Sequence, residues 1–159
     1  MSNLVNDTRQ KQILREEVWY GSYSMQVNDY LNPIMIGILT DVNEVQFNME
    51  SISSIDLKIN LLTGVSFAAG PVNAQTNYNM RLSSAATTSV VITAERLLNA
   101  GGVILDYIHP QGINLDITPF KEDSGIILDA STQYAIAFYN TAQGDESANV
   151  NINWFFREI

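Results

Sequence analysis

The segment Ala148–Glu158, with the sequence ANVNINWFFRE, decides the fold class of this chain. Large apolar side chains alternate in it with asparagine: Val150, Ile152, Trp154 and Phe156 on one side, and Asn149, Asn151 and Asn153 on the other. A period of two directs one set toward a core and the other toward solvent, which predicts a half-buried β-strand. Phe47, Tyr134 and Phe138 lie on the apolar phase of their own segments and are expected in the same core.

Segments of the same character precede it at spacings of about ten residues, separated by turn-forming residues. They are Val18–Met25, Ile34–Thr40, Val45–Glu50, Ile55–Leu61, Thr76–Leu82, Ser89–Thr93, Val103–Ile108, Ile113–Ile117, Gly125–Leu128 and Thr132–Tyr139. Residues 64–75 are expected to form a loop. Ala94–Ala100 has a helical composition, and Gly101 and Gly102 would end that helix. The pattern favours a sandwich, jelly roll or barrel. We predict an all-β, antiparallel jelly-roll or β-sandwich fold with a short N-terminal arm and at most one short internal helix.

The first residues differ in charge from the rest of the chain. Residues 1–15 contain three cations, Arg9, Lys11 and Arg15, and one anion, Asp7, so their net side-chain charge is +2. Because the whole chain has a net charge of −9, residues 16–159 have a net charge of −11. Asp7–Glu17 is the best helix candidate in this region, although its apolar content is thin. We therefore predict an arm over residues 1–17 and a β domain over residues 18–159. The arm is either a solvated terminal segment or a device that docks on an acidic neighbour.

The composition excludes several classes of function. A net charge of −9 argues against nucleic acid as a ligand, because such binding depends on Lys and Arg that neutralise phosphates. The absence of cysteine excludes disulfides, thiolate nucleophiles and cysteine-based zinc sites. No segment approaches the roughly 20 apolar residues that span a bilayer, and the first residues do not resemble a signal peptide. We expect no membrane, no nucleic acid, no metal and no cofactor.

Catalytic motifs are weak. The only histidine, His109, precedes Pro110 in a predicted turn, and no nucleophile-elbow or phosphate-binding glycine pattern accompanies it. Carboxylates could pair in space, as in a glycosidase, with Glu44 and Glu50 or Asp116 and Glu122 as candidates. Loop acids at residues 122–123 and 145–146 lack the spacing of a calcium loop. We expect a non-enzymatic protein, and a hydrolase is the weakest of the hypotheses.

Asparagine is common on the polar phase of the predicted strands, where it is normally depleted. The residues concerned are Asn48, Asn60, Asn77, Asn79, Asn114, Asn149, Asn151 and Asn153. A surface that hydrogen-bonds neutral neighbours, or a symmetric interface between copies, would use such residues. Ordinary drift in the composition of a solvated face would produce them as well.

The segment Phe120–Asn140 and the terminal aromatic strand with Trp154-Phe155-Phe156 resemble the last strands of jelly-roll virion proteins of tailed bacteriophages. In those proteins a glycine, an apolar run, a small polar turn and a Tyr-x-apolar-x-apolar segment precede a terminal aromatic strand. The resemblance implies a capsid decoration, cement or head-fibre protein, commonly trimeric, attached to the shell through a terminal arm. The implied partner is the major capsid protein or another virion protein, and the implied location is the virion, after assembly in the host cytoplasm.

Together these observations give a first hypothesis for the binding residues. Arg9, Lys11 and Arg15 are the expected electrostatic contacts of the arm, and Ile13, Leu14 and Trp19 are its expected apolar anchors. The alternative is a carbohydrate- or receptor-binding β module of a fibre or tail, which would use exposed aromatic residues such as Tyr20 and Tyr23.

Overall fold

The structure is a computed structural model that describes residues 10–13, 15, 17–27, 34–67, 73–94, 98–109, 115–116, 126–140 and 148–159. Residues 10–13 are helical, and β-strands form most of the remainder. The strands are β1 (Trp19–Val27), β2 (Ile34–Leu39), β3 (Val45–Ser53), β4 (Leu57–Phe67), β5 (Tyr78–Asn79), β6 (Val91–Ala94), β7 (Leu98–His109), β8 (Leu115–Asp116), β9 (Ile126–Leu128), β10 (Gln133–Asn140) and β11 (Ala148–Glu158). The described helix and strands agree with the predicted all-β class.

The strands form two antiparallel sheets. Sheet A has the order β5-β1-β11-β3-β8, with β9 also paired to β3, and sheet B has the order β6-β2-β10-β4-β7. The pairs β1 with β11, β2 with β10, β3 with β8 and β9, and β4 with β7 are nested along the chain. This nesting is the strand order of a jelly roll, in which a long ribbon folds over into two facing sheets. The predicted jelly-roll sandwich is therefore confirmed.

The core lies between the two sheets and follows from the alternation in the sequence. In β11 the burial alternates from Ala148 to Trp154 as the asparagines require, so the strand presents one apolar row to the opposite sheet. The largest fully buried side chains come from both sheets: Trp154, Phe47, Phe138, Ile36, Ile38, Met49, Leu57, Ile59, Ile92, Leu128, Ile136 and Ile152. Their removal from water is the main stabilising contribution to the sandwich.

The outer side of sheet B carries a second apolar cluster. Its buried members are Met35, Leu62, Val65, Ala135 and Ala137. Ala135 and Ala137 alternate along β10 with side chains that belong to the main core. Sheet B is therefore apolar on both sides, whereas sheet A is apolar on its inner side and polar on its outer side.

A close contact between strands explains one glycine. Gly21 of β1 lies directly opposite Trp154 of β11, and the indole ring covers the position that a β-carbon would occupy. A side chain at residue 21 would overlap the ring, so the tryptophan needs glycine as its neighbour. The aromatic ring in turn covers backbone that the glycine leaves bare.

Residues 73–90 form what we call the lobe, which joins the edges of the two sheets. At one end, Gln75 donates a backbone hydrogen bond to the carbonyl of Ile92 in β6 at 2.7 Å. At the other, β5 pairs with the start of β1, and Met80 donates to the carbonyl of Val18 at 2.9 Å. The lobe therefore bridges β6 of sheet B and β1 of sheet A.

Three local predictions were wrong. Ala94 ends β6 and Leu98–Ala100 begin β7, so the predicted helix over residues 94–100 is replaced by strand at its described positions. Strand β4 continues to Phe67 instead of ending before a loop at residue 64, with register shifts around Gly64, whose φ of 61° suits a bulge. The predicted strand over residues 76–82 reduces to Tyr78–Asn79.

The phase of that short strand is also opposite to the prediction. Asn79 is buried, while Tyr78 and Leu82 are 54% and 83% exposed. The segment pairs with Trp19 and Tyr20 at a sheet edge, so no sandwich interior receives its apolar side chains. Edge geometry has overridden the alternation.

Candidate functional site

The outward-facing residues of β1, β11 and β3 form a flat surface that we call the amide face. Its members are Tyr20, Ser22, Ser24, Gln26, Gln46, Asn48, Glu50, Ile52, Asn149, Asn151, Asn153, Phe155 and Arg157. The strand registers align them in rows, for example Ser22 with Asn153 and Glu50. The predicted polar phase of Asn48, Asn149, Asn151 and Asn153 is confirmed.

Side chains of the amide face hydrogen-bond one another across the strands. The Ser24 hydroxyl donates to Asn151 Oδ1 at 2.7 Å, and Gln26 Nε2 donates to Asn149 Oδ1 at 3.2 Å. At the other end of the sheet, Arg157 Nε donates to Gln46 Oε1 at 2.7 Å. These cross-strand bonds order the side chains, so the face presents amides and hydroxyls in defined positions.

The amide face is electrically balanced. Arg157 and Glu50 are its charged members, so its formal charge is zero on a chain whose net charge is −9. The negative charge of the molecule therefore lies outside the face as defined, and β8 places Asp116 in register with Glu50 at its edge. A second acidic surface can approach this face without the like-charge repulsion that it would meet over an average part of the molecule.

The size of the face sets a limit on what it binds alone. β1 and β3 have 9 residues each, and β11 has 11. At roughly 3.3 Å per residue and 4.8 Å between strands, the three strands cover about 460 Å². A standard interface buries about 800 Å² per partner. A stable contact through this face would therefore need neighbouring elements as well.

The N-terminal segment is one such element. Gln12 lines a small pocket together with Gln46, Asn48 and Phe155, so the helical residues lie at one end of the amide face. Nearby, Arg157 and Glu17 form an ion pair at 3.8 Å between half-buried side chains. Pairs of this exposure contribute about 0–1 kcal/mol, which makes it a weak fastening of the segment to the domain.

The predicted arm residues have different positions. Lys11 and Arg15 are exposed and Ile13 is half-buried, which leaves two cations on the solvent side of the segment. Arg9 and Leu14 lie outside the described residues. Trp19 is 7% exposed and belongs to the main core. Its prediction as an apolar anchor of the arm is therefore corrected, because most of the side chain packs between the sheets and little of it is left for a protein partner.

The structure also places the catalytic candidates. His109 ends β7 opposite Leu57 instead of lying in a turn. Glu50 and Asp116 are register partners on β3 and β8, a pairing of acids that the sequence did not suggest, whereas Glu44 precedes β3. Directly opposed like charges are unfavourable in a sheet. Glu122, the acid expected to pair with Asp116, lies outside the described residues.

No described helix has the length and hydropathy to cross a bilayer. Within the residues that the structure describes, no group of three or more His, Cys, Asp or Glu side chains is arranged to hold a metal ion.

Sequence analysis missed part of the amide face. It named the asparagines, but Ser24, Gln26 and Gln46 belong to the same surface and hydrogen-bond within it. The sequence did contain a pattern that marks these three residues, since each occupies the polar phase of a strand. The neutrality of the face could not be predicted without the strand register, because only strand pairing shows which polar residues are neighbours.

Comparisons with known proteins do not add a family. A scan against family models found no match to this chain, and a search of curated proteins found none either.

Proposed function

We propose that the protein is a non-enzymatic structural protein of a tailed-bacteriophage virion, which decorates or stabilises the capsid as a decoration, cement or head-fibre protein. It binds the major capsid protein or another virion protein through its N-terminal arm, and it associates with copies of itself as a homotrimer. The jelly-roll strand order supports this proposal, since the resemblance in sequence leads to the same architecture. Fold alone does not define a function, so the surface has to carry the argument.

The observation that carries it is the neutral amide face on an acidic molecule. A decoration protein must place many acidic copies close together on one particle. A face without net charge, which offers both hydrogen-bond donors and acceptors, allows such contacts at low electrostatic cost. The arrangement requires no reactive group, which agrees with a structural role.

The N-terminal segment extends this surface with positive charge, opposite in sign to the net charge of the molecule. Lys11 and Arg15 are exposed beside the end of the amide face that Gln12 contacts. An acidic shell surface would attract these cations, while Ile13 supplies an apolar contact. The segment adds contact area to a face that alone falls short of a standard interface.

The test is the location of the chain in purified particles. Virions of the phage that encodes it are sedimented through a density gradient and analysed by quantitative mass spectrometry. The chain should co-sediment with the major capsid protein in a fixed ratio. A chain that is found in infected-cell lysate but not in the particle fraction would refute the proposal.

The attachment mode is tested with charge-reversed variants of the full chain. Lys11→Glu together with Arg15→Glu should reduce occupancy on particles, and more strongly at low salt, because screening weakens the wild-type attraction. Lys58→Glu is the matched control, since Lys58 is an exposed cation on sheet B. Equal occupancy for the double variant and the control would exclude the arm as the attachment device.

The alternative function is a carbohydrate- or receptor-binding β module of a fibre or tail. One observation favours it: clefts beside the lobe bring an exposed tyrosine, Tyr78, together with amide and hydroxyl side chains. Such clefts are where small ligands bind in most proteins.

A further inference from the structure

Two clefts lie in the lobe beside Trp19, at the start of β1. The first, of about 330 Å³, is lined by residues that include Gln75, Thr87 and Thr88. The second, of about 220 Å³, is lined by residues that include Tyr78 and Arg81. Trp19, Asn77 and Ala86 line both clefts and form the wall between them. The two volumes together fall in the range of small-molecule sites, roughly 300–1,000 Å³.

The lining of the clefts differs from the rest of the molecule in charge. The chain has 17 acidic residues, yet no Asp or Glu is among the described residues that line either cleft. Their polar groups are amides, hydroxyls and Arg81. This chemistry suits a neutral or anionic ligand and disfavours a cation.

The walls are held in place by hydrogen bonds. The Trp154 indole donates to Asn77 Oδ1 at 2.9 Å, and Asn77 Nδ2 donates to the carbonyl of Val90 at 3.3 Å. On the far side, Ser89 and Thr88 donate from their hydroxyls to Glu158 at 2.7 and 3.3 Å. The clefts are therefore formed before a ligand arrives, which reduces the entropic cost of binding.

An aromatic ring is presented at the mouth of the second cleft. Tyr78 is 54% exposed, and its ring packs against Tyr20 with 5.6 Å between centroids and 35° between planes. Contact with a second ring restricts the rotamers of an otherwise exposed side chain. A fixed, accessible ring offers an apolar surface beside the polar lining.

We propose that these two clefts bind a saccharide, with one sugar unit against Tyr78 and Arg81 and a second against Gln75 and Thr87. The C–H faces of a sugar ring pack on an aromatic ring, and its hydroxyls act as both donors and acceptors. The Gln75 carbonyl oxygen offers an acceptor and the Thr87 hydroxyl offers both functions, whereas Asn77 is already bonded at both ends of its amide and Gln75 Nε2 donates to Asn73. An extended peptide is a poorer fit, because the backbone N–H groups of Gln75 and Met80 are already bonded to the carbonyls of Ile92 and Val18.

The site deepens the alternative function and does not depend on attachment to a shell. Failure to bind saccharides would leave the proposed role in the capsid untouched, and absence from particles would leave this site untouched. The two proposals are therefore tested separately.

The experiment uses the full chain on an array of neutral and acidic oligosaccharides, followed by NMR titration of isotope-labelled protein with the best hits. We expect binding with Kd below about 1 mM and chemical-shift changes at residues 75–88. A blank array, or shift changes confined to other residues, would overturn the proposal.

Variants add a second readout. Tyr78→Ala should weaken binding at least about tenfold, because the stacking surface is removed while an exposed position leaves the fold intact. Ile127→Ala, at 51% exposure on β9, is the control and should bind like wild type. Arg81→Gln distinguishes the ligand: loss confined to acidic saccharides indicates a carboxylate-bearing sugar, and unchanged binding indicates a neutral one. Equal binding by wild type and Tyr78→Ala would contradict the site.

Discussion

Gly21 shows how a single residue determines the fit of two neighbouring strands. The indole of Trp154 fills the space beside its α-carbon and, beyond it, reaches Asn77 of the lobe through its N–H. One glycine therefore positions the ring that joins sheet A to the lobe. Tryptophan at the fully buried position 154 tolerates little displacement, because cores are packed at the density of solids.

Gly21→Ala should accordingly destabilise the fold by about 1–3 kcal/mol, the usual cost of an overpacked core. The matched control is Gly102→Ala, since a β-carbon there would meet no heavy atom within 4 Å. Its effect should lie within about 0.5 kcal/mol of wild type. Urea unfolding of the two variants gives the comparison. A cost for Gly21→Ala no greater than that of the control would show that the ring does not need this space.

Removal of the hydroxyl group should have opposite effects on stability at two threonines, Thr93 and Thr40. Among the described residues, Thr93 has a buried hydroxyl with no hydrogen-bond partner. The Thr40 hydroxyl donates to the carbonyl of Asp129 at 2.6 Å and accepts from the Thr132 N–H at 2.9 Å. A buried polar group without a partner costs free energy, whereas a bonded one stabilises the turn it joins.

Thr93→Val should therefore leave stability unchanged or raise it by about 1 kcal/mol, and Thr40→Val should lower it by about 1–2 kcal/mol. The two substitutions change shape equally, so each is the control for the other. Melting temperatures measured by calorimetry decide the sign. A loss of similar size in both variants would mean that the Thr93 hydroxyl has a partner after all.

At the scale of elements, the lobe depends on a few side-chain contacts. Glu158, near the end of β11, accepts hydrogen bonds from the hydroxyls of Thr88 and Ser89. These bonds join the end of the lobe that precedes β6 to β11, the central strand of sheet A. Bonds to a charged acceptor are stronger than those between neutral groups.

Glu158→Ala should detach the end of the lobe that precedes β6 from β11, while the sandwich stays folded. Amide hydrogen exchange over residues 81–91 should accelerate several-fold, while exchange in β10 stays unchanged. Glu44→Ala, at an exposed carboxylate, is the control. Unchanged exchange over residues 81–91 in Glu158→Ala would show that other contacts hold the lobe.

The elements also show which parts of the fold the sequence could predict. Alternation located β3 and β11, because each has one buried and one exposed side and a register slip would expose its apolar row. It also located the first half of β4, although Asn60 on the outer side of that strand is buried. The helix expected at residues 94–100 failed for the opposite reason. Its residues have good helical propensity, but pairing of β7 with β4 decides the conformation of Leu98–Ala100.

The lobe was predicted poorly because its structure depends on partners distant in sequence. Tyr78 and Asn79 are held by β1, and Asn77 by Trp154. Local pattern contains none of these relationships. The clefts that we propose as a saccharide site follow from the same contacts, so no sequence signal marked them.

At the scale of the whole molecule, the distribution of charge separates one surface from the rest. The chain is strongly acidic, but the amide face is neutral and bears ordered amides. The sequence predicted the amides and the basic residues of the arm. It misassigned Trp19, because an aromatic residue at the junction of arm and domain fits either an anchor or a core, and only its packing between the sheets distinguishes the two.

The central claim is that the amide face is the surface through which the molecule associates, and sedimentation equilibrium of charge variants tests it most directly. Asn151→Asp retains an oxygen that accepts from Ser24, so it adds one negative charge to the face with little change in shape. Asn73→Asp is the matched control on the lobe, where Oδ1 of Asn73 accepts from Gln75. We predict a trimer for wild type and for Asn73→Asp, and a dissociation constant at least about tenfold higher for Asn151→Asp. A wild-type monomer at all concentrations, or equal association by the two variants, would contradict the claim.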